Sequence, residues 1–235
     1  NFGLLQNGTN YIAIRATDFA GNTTTQFDLF KVLKDQLSPE IVNSQTGDNV
    51  WRKENDAVYD IDFKDLESGV TYFQTIVYSG TNYSGEELDG WVIIDSTNTK
   101  FYVQNWKLKE DTFNKLKEGI NYVSVKVFDN VGNYSLLTDA FYVKKDTSAP
   151  VIVDNEEDDE VWYNYGRLYD VDFYDLFSGV SKAEYTVYSD NYQSGTQVVN
   201  WKEIFSDQQG VLSYETDWQI DFISLQQGYN FVTVR

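Results

Sequence analysis

The stretch LKEGINYVSVKVFDNVGN, Leu116–Asn133, sets Val123, Val125 and Val127 in alternation with Tyr122, Ser124, Lys126 and Phe128. A period of two is the signature of a strand with one buried and one wet face. The strand runs into D-x-x-G-N. There Asp and Asn side chains bond the local backbone, and Gly132 supplies a positive φ, so a hairpin is expected next. Asn121 shares the phase of the valines and is expected to point inward, with Tyr122 outward. A buried amide must bond nearby backbone groups, since leaving it unsatisfied costs about 1–3 kcal/mol.

The same words recur elsewhere in the chain. LQNGTNYIAIRATDFAGN occupies Leu5–Asn22 and LQQGYNFVTVR occupies Leu225–Arg235, so the three copies start at 5, 116 and 225, offsets of 111 and 109 residues. YDIDFKDLESGV (Tyr59–Val70) returns as YDVDFYDLFSGV (Tyr169–Val180), and KDQLSPEIV (Lys34–Val42) returns as KDTSAPVIV (Lys145–Val153). Tryptophans match as well: Trp51 with Trp162, Trp91 with Trp201, Trp106 with Trp218. The two prolines, Pro39 and Pro150, stand at matching junctions, where a fixed φ suits a stiff linker entering a first strand. The unit is therefore about 110 residues, an ordinary domain size. Residues 36–145 read as one complete repeat, residues 146–235 as a second repeat without its final strand, and residues 1–35 as the last two strands of a preceding one. Two arrangements fit that phase: a window on a longer array, or identical chains joined head to tail. The overlap of residues 1–15 with residues 221–235 favours the window, because a swap would set two copies of one half-strand in competition.

Composition narrows the chemistry. The 235 residues include no His, Cys or Met, so no imidazole base, thiol nucleophile, disulfide or His or thiolate zinc site can form. Lys and Arg number 18 against 37 Asp and Glu, a net charge of −19, which argues against nucleic acid and anionic lipid surfaces as partners. No apolar run approaches the length of a membrane span, and no signal peptide is visible at the start. The complete repeat carries seven candidate strands, among them Tyr72–Tyr78, Trp91–Asp95, Phe101–Leu108 and Leu136–Val143, with one helical turn at Asp111–Leu116. Seven short strands in about 100 residues is the immunoglobulin-like count. The expected fold is all-β, a tandem of immunoglobulin-like β-sandwich domains. Asn10, Asn121 and Asn230 stand where a fibronectin-type module would place its corner tyrosine.

The pattern L-x-x-G-x-N-x-V-x-V-x-V-x-D-x-x-G-N, strand, K-D-x-x-x-P-x-I resembles the bacterial immunoglobulin-like (Big-type) tandem repeats of large surface adhesins and surface-layer-type proteins. It is also similar to accessory sandwich domains of Gram-positive cell-envelope proteases. The D-L-x-S-G-V block resembles the turn between second and third strands in that class. The resemblance implies an extracellular, cell-surface stalk whose partners are neighbouring repeats. These units are longer than many such repeats, and the extra length sits in Ser79–Leu108.

Several constellations invite chemistry. In an immunoglobulin-like unit the incoming linker, the second-to-third-strand turn and the last hairpin meet at one pole. That gathers Asp35, Asp65, Glu67 and Asp129 in the complete unit, and Asp146 and Asp175 in the next. Hard oxygens at a domain junction suit Ca²⁺, and the resemblance implies junction calcium; the same residues also suit solvated turns, and Glu67 is Phe177 in the second copy. Trp91 and Trp201, beside the Tyr-bearing loops SGTNYSG and SDNYQSG, could stack on a sugar, although recurrence of all three Trp pairs is what core or partly buried anchors show. The acidic run DNEEDDE (Asp154–Glu160) has no counterpart in the first copy and reads as a solvated loop or a cation contact. Asp60/Asp62 and Asp170/Asp172 suggest a glycosidase pair, but an active site duplicated along a stalk argues against catalysis. Asn7, Asn22, Asn82 and Asn133 head N-x-S/T sequons. Lys126 faces outward by parity, which disfavours a pilin-type isopeptide bond.

The expected function is a non-enzymatic extracellular structural array: a stalk, fibre or surface-layer component. The alternative is a carbohydrate-binding or accessory module of a secreted cell-envelope enzyme.

Overall fold

The computed structural model describes residues 1–45, 48–156 and 161–235. Strands take 54% of the described residues and helix 5%, so the all-β expectation holds. The chain divides into two compact units, Asn1–Lys145 and Asp146–Arg235.

The first unit opens with a 3₁₀ turn, Phe2–Leu4, then β1 (Gly8–Thr17) and β2 (Thr23–Lys34), which form a two-stranded antiparallel sheet. Next come β3 (Glu40–Asn43), β4 (Trp51–Arg52), β5 (Ile61–Lys64), β6 (Val70–Tyr78), β7 (Glu87–Thr99), β8 (Phe101–Tyr102), α1 (Glu110–Lys115), β9 (Gly119–Asp129) and β10 (Tyr134–Lys145). They build a five-stranded sheet, β4-β10-β9-β6-β7, and a three-stranded sheet, β3-β5-β8. Helix α1 carries the chain from one sheet to the other. The core lies between the sheets. Ile61 and Phe63 come from β5, Phe73 and Val77 from β6, the three valines from β9, and Phe141 and Val143 from β10; all are buried. Each such side chain contributes about 1.5–3 kcal/mol on leaving water. Aromatic contacts set the centre: Tyr59 stacks on Phe141 at 3.9 Å, and Phe73 lies 5.2 Å from Trp106.

Two features depart from the strand count. Trp51–Arg52 adds a short parallel pairing to β10, with Trp51 opposite Lys144 and Arg52 opposite Lys145, so the described residues of 36–145 hold eight strands, not seven. The expected strand Phe101–Leu108 pairs with β5 only at Phe101 and Tyr102; Trp106 rejoins through a single bridge to Tyr59. Trp106 turns inward there, and its indole N–H donates to the Ile61 carbonyl at 3.2 Å.

The β1–β2 hairpin reproduces β9–β10 down to an irregularity. Both ladders slip register at the same place, at Asp28 (φ 50) and Asp139 (φ 49). Asp is among the few residues that accept a left-handed backbone as single residues.

The second unit runs β11 (Val151–Asp154), β12 (Leu168–Tyr169), β13 (Val171–Tyr174), β14 (Val180–Tyr188), β15 (Gln197–Val211), β16 (Ser213–Tyr214), β17 (Trp218–Gln219) and β18 (Phe231–Val234). Its sheets are β11-β13-β16, β15-β14-β18 and β12-β17. Val171, Phe173, Val180, Ala183, Tyr185, Val187 and Trp218 form its core. Of the acidic run, residues 157–160 lie outside the described residues. Within the remainder, Glu156 pairs with Arg167 at 2.6 Å.

Candidate metal centre and aromatic platform

Asp35 lies just past β2. Its Oδ1 accepts from the Leu37 amide at 3.0 Å and its Oδ2 from the Ser68 amide at 3.1 Å. Asp65, buried at the end of β5, accepts from the Gly69 amide at 2.7 Å. That closes a tight turn in which Gly69 takes φ 87 and approaches the Thr99 carbonyl, so a side chain there would be strained. Glu67 sits within the turn. One carboxylate oxygen from each of Asp35, Asp65 and Glu67 lies within 4.8 Å of the others. Oxygens on opposite sides of a Ca²⁺ ion stand about 5 Å apart, given Ca–O distances of about 2.4 Å, so the spacing fits that ion. The Ser68 hydroxyl in the same turn is buried and makes no hydrogen bond.

Asp129 is spent differently. Its Oδ1 accepts from the amides of Val131, Gly132 and Asn133 at 2.7–2.9 Å, and its Oδ2 from the Asn133 side chain at 2.7 Å. This carboxylate closes the D-x-x-G-N turn and stands outside the three-acid cluster. In the second unit Asp146 accepts from the Ser148 and Ser178 amides at 3.1 and 2.9 Å. Asp175 accepts from the Phe177 and Gly179 amides at 3.1 and 2.7 Å. The same turn is built with two acids, because Phe177 stands where the first copy has Glu67.

The tryptophans separate into three fates. Trp106 and Trp218 are core residues, 5% and 7% exposed, each donating to a matched carbonyl, that of Ile61 or Val171. Trp91 and Trp201 lie on the outer sheet face. The Lys126 ammonium sits 4.2 Å over the Trp91 ring, and the Arg235 guanidinium 4.0 Å over Trp201. Lys126 and Arg235 hold the same repeat position, so the cation–π pair is itself repeated. Trp51 is half-buried with Lys144 above it, whereas Trp162 is 71% exposed. Packing of every pair is therefore corrected for Trp162: Trp51 is held by the β4–β10 pairing, and among the described residues Trp162 lies in no strand.

The remaining candidates resolve into local structure. Burial, and then the charge of Asp60, push the Asp62 carboxyl above its usual range. In the second copy one side chain, Asn155, donates to both Asp170 and Asp172 at 2.9 Å. The amide nitrogens of Asn22 and Asn133 are engaged by Asp18 and Asp129. One cluster escapes a sequence reading altogether: buried Asp89 accepts from Thr112 Oγ1 at 2.7 Å and from Lys115 Nζ at 2.8 Å, pinning α1 to β7. That bond, with the charge of Asp89, holds the Lys115 pKa above its ordinary value. The signal was the Thr and Lys on the one short helix, which has meaning only once Asp89 is placed beside them.

No family model and no curated protein matches the chain. Among solved structures, a crystal structure of a tetra-tandem repeat in the extending region of a large adhesion protein is similar to it. The identity is 15% and the TM-score 0.32, over 98% of this chain and 56% of that one. The chain thus spans a little over half the length of that structure. No helix among the described residues is long and apolar enough to cross a membrane.

Proposed function

We propose that this chain is a non-enzymatic structural array of serial immunoglobulin-like domains, working outside the cell as a stalk, fibre or surface-layer segment. The observation that carries the reading is where the recurring residues go. Asn121 is fully buried and spends its amide on Lys117, Gly119 and Val143 backbone groups. Asp18 and Asp129 close turns, and Trp106 and Trp218 fill cores. What the repeats keep is what a self-supporting module needs. The cations over Trp91 and Trp201 favour a structural use of those rings over a sugar platform. On this reading Trp91→Ala lowers stability and reveals no lost glycan binding on an array; a folded variant that loses a specific glycan moves the assignment to the carbohydrate-binding alternative.

Calcium belongs to the same proposal. Asp35, Asp65 and Glu67 would hold a Ca²⁺ ion, with the unpartnered Ser68 hydroxyl beside them, and the ion would brace the linker turn. The two-acid site at Asp146 and Asp175 would bind it more weakly. Calorimetric titration with millimolar Ca²⁺ after EDTA treatment tests this: one site lost in Glu67→Gln supports it, and no heat and no change in melting removes it.

A further inference from the structure

We infer that the linker Lys34–Leu37 is a stitched joint that holds its course without a metal, because four consecutive residues are tied alternately to the chain on their N-terminal side and to the chain on their C-terminal side. Lys34 reaches back. Its buried ammonium donates to the Leu5 carbonyl at 2.6 Å and lies 5.4 Å over the Phe2 ring. Asp35 reaches forward, accepting from the Ser68 amide at 3.1 Å in the turn after β5. Gln36 reaches back, its amide donating to Asn7 Oδ1 at 3.1 Å. Leu37 reaches forward, its carbonyl accepting from the Asn133 side chain at 3.0 Å in the β9–β10 turn. Asp35 Oδ1 also accepts from the Leu37 amide at 3.0 Å, an Asx turn that fixes the bend of the segment, so the alternate anchors hold a shaped linker between two anchor surfaces. Rotation about any of its backbone torsions breaks a bond on one side or the other, and Pro39 restricts the next turn of the chain.

The two halves of the device recur, each within its own unit. Lys145 donates to the Leu116 and Asn114 carbonyls at 2.9 and 3.3 Å and lies 5.4 Å over Phe113. Leu116 and Phe113 are the repeat counterparts of Leu5 and Phe2. Asp146 accepts from the Ser178 amide at 2.9 Å as Asp35 does from Ser68. The Lys-Asp dipeptide is thus a pair of adjacent anchors of opposite direction. The inference does not rest on the stalk reading, and it opposes any account in which a cation alone stiffens the linker.

Residue-resolved amide hydrogen exchange on the whole chain in EDTA tests it. The Gln36, Leu37 and Ser68 amides are expected to be protected. In Asn7→Ala the Gln36 protection falls roughly tenfold, as loss of one acceptor predicts, while the β1–β2 ladder stays protected. In Asp35→Ala the loss moves to Leu37 and Ser68. Exchange of these amides at unstructured-peptide rates in the unmodified chain overturns the inference. So does protection that appears only when Ca²⁺ is added, and so does a Gln36 amide indifferent to Asn7→Ala.

Discussion

Single residues carry opposite lessons about buried polar groups. Asn121 is buried and satisfied: its Oδ1 accepts from the Lys117 amide at 3.0 Å, and its nitrogen donates to the Lys117 carbonyl at 2.8 Å. Truncation leaves those groups without partners, so Asn121→Ala is expected to lose about 1–3 kcal/mol in urea unfolding. Thr75 is the reverse case, its hydroxyl buried in β6 with no hydrogen bond. Thr75→Val keeps the shape and removes the orphan, so it is expected to raise stability by about 1 kcal/mol. Its counterpart Tyr185 shows how the position can be satisfied: the Tyr185 hydroxyl oxygen accepts from the Asp221 amide at 2.8 Å. Both effects read directly as shifts in the unfolding midpoint at unchanged slope.

At the scale of elements, turns decide more than strands. Gly179 takes φ 81, and a Cβ there would stand 2.9 Å from the Gly210 carbonyl carbon. Gly179→Ala combines backbone strain with a clash against main chain and is expected to cost about 2 kcal/mol or more; Gly69→Ala, where the nearest atom is 3.2 Å away, should cost less. Much of this level was legible in the sequence. The alternation Val123, Val125, Val127 located β9 and oriented Asn121 and Lys126 correctly, since period two needs only local geometry. D-x-x-G-N announced the hairpin because its bonds span five residues. The parallel β4–β10 pairing was not legible, because Trp51 and Lys144 meet across the fold and neither strand advertises the other. The same limit hid the outward Trp91. A tryptophan that recurs reads as core until a cation from the next strand but one is seen lying on its ring. The three-acid cluster was legible as a pole of converging loops, yet Asp129 proved to be occupied by its own turn.

For the whole molecule, acid is the natural stress. Hydrogen bonds hold Asp18, Asp56, Glu184 and Asp221 below their usual range, chiefly from Asn22, Arg52, Lys182 and Lys202 respectively. A depressed folded-state pKa means the unfolded chain binds protons first as pH falls. The stabilisation is whole above the ordinary carboxylate range and is lost as pH drops through the folded values. Asp62, raised by burial, works in the opposite sense. The melting temperature is therefore expected to hold from pH 7 to about 5 and to fall below about 4 in scanning calorimetry. A fall confined to the range above pH 5 would contradict this assignment of carboxylates.

The account turns on the module being self-sufficient, with its own core and its own closed turns. Equilibrium unfolding of residues 36–145 alone measures that most directly. The account predicts one cooperative transition with near-native β signal and a slope proportionate to about 110 residues. A fragment that stays unfolded, or that folds only when residues 1–35 or 146–235 are restored, would contradict it.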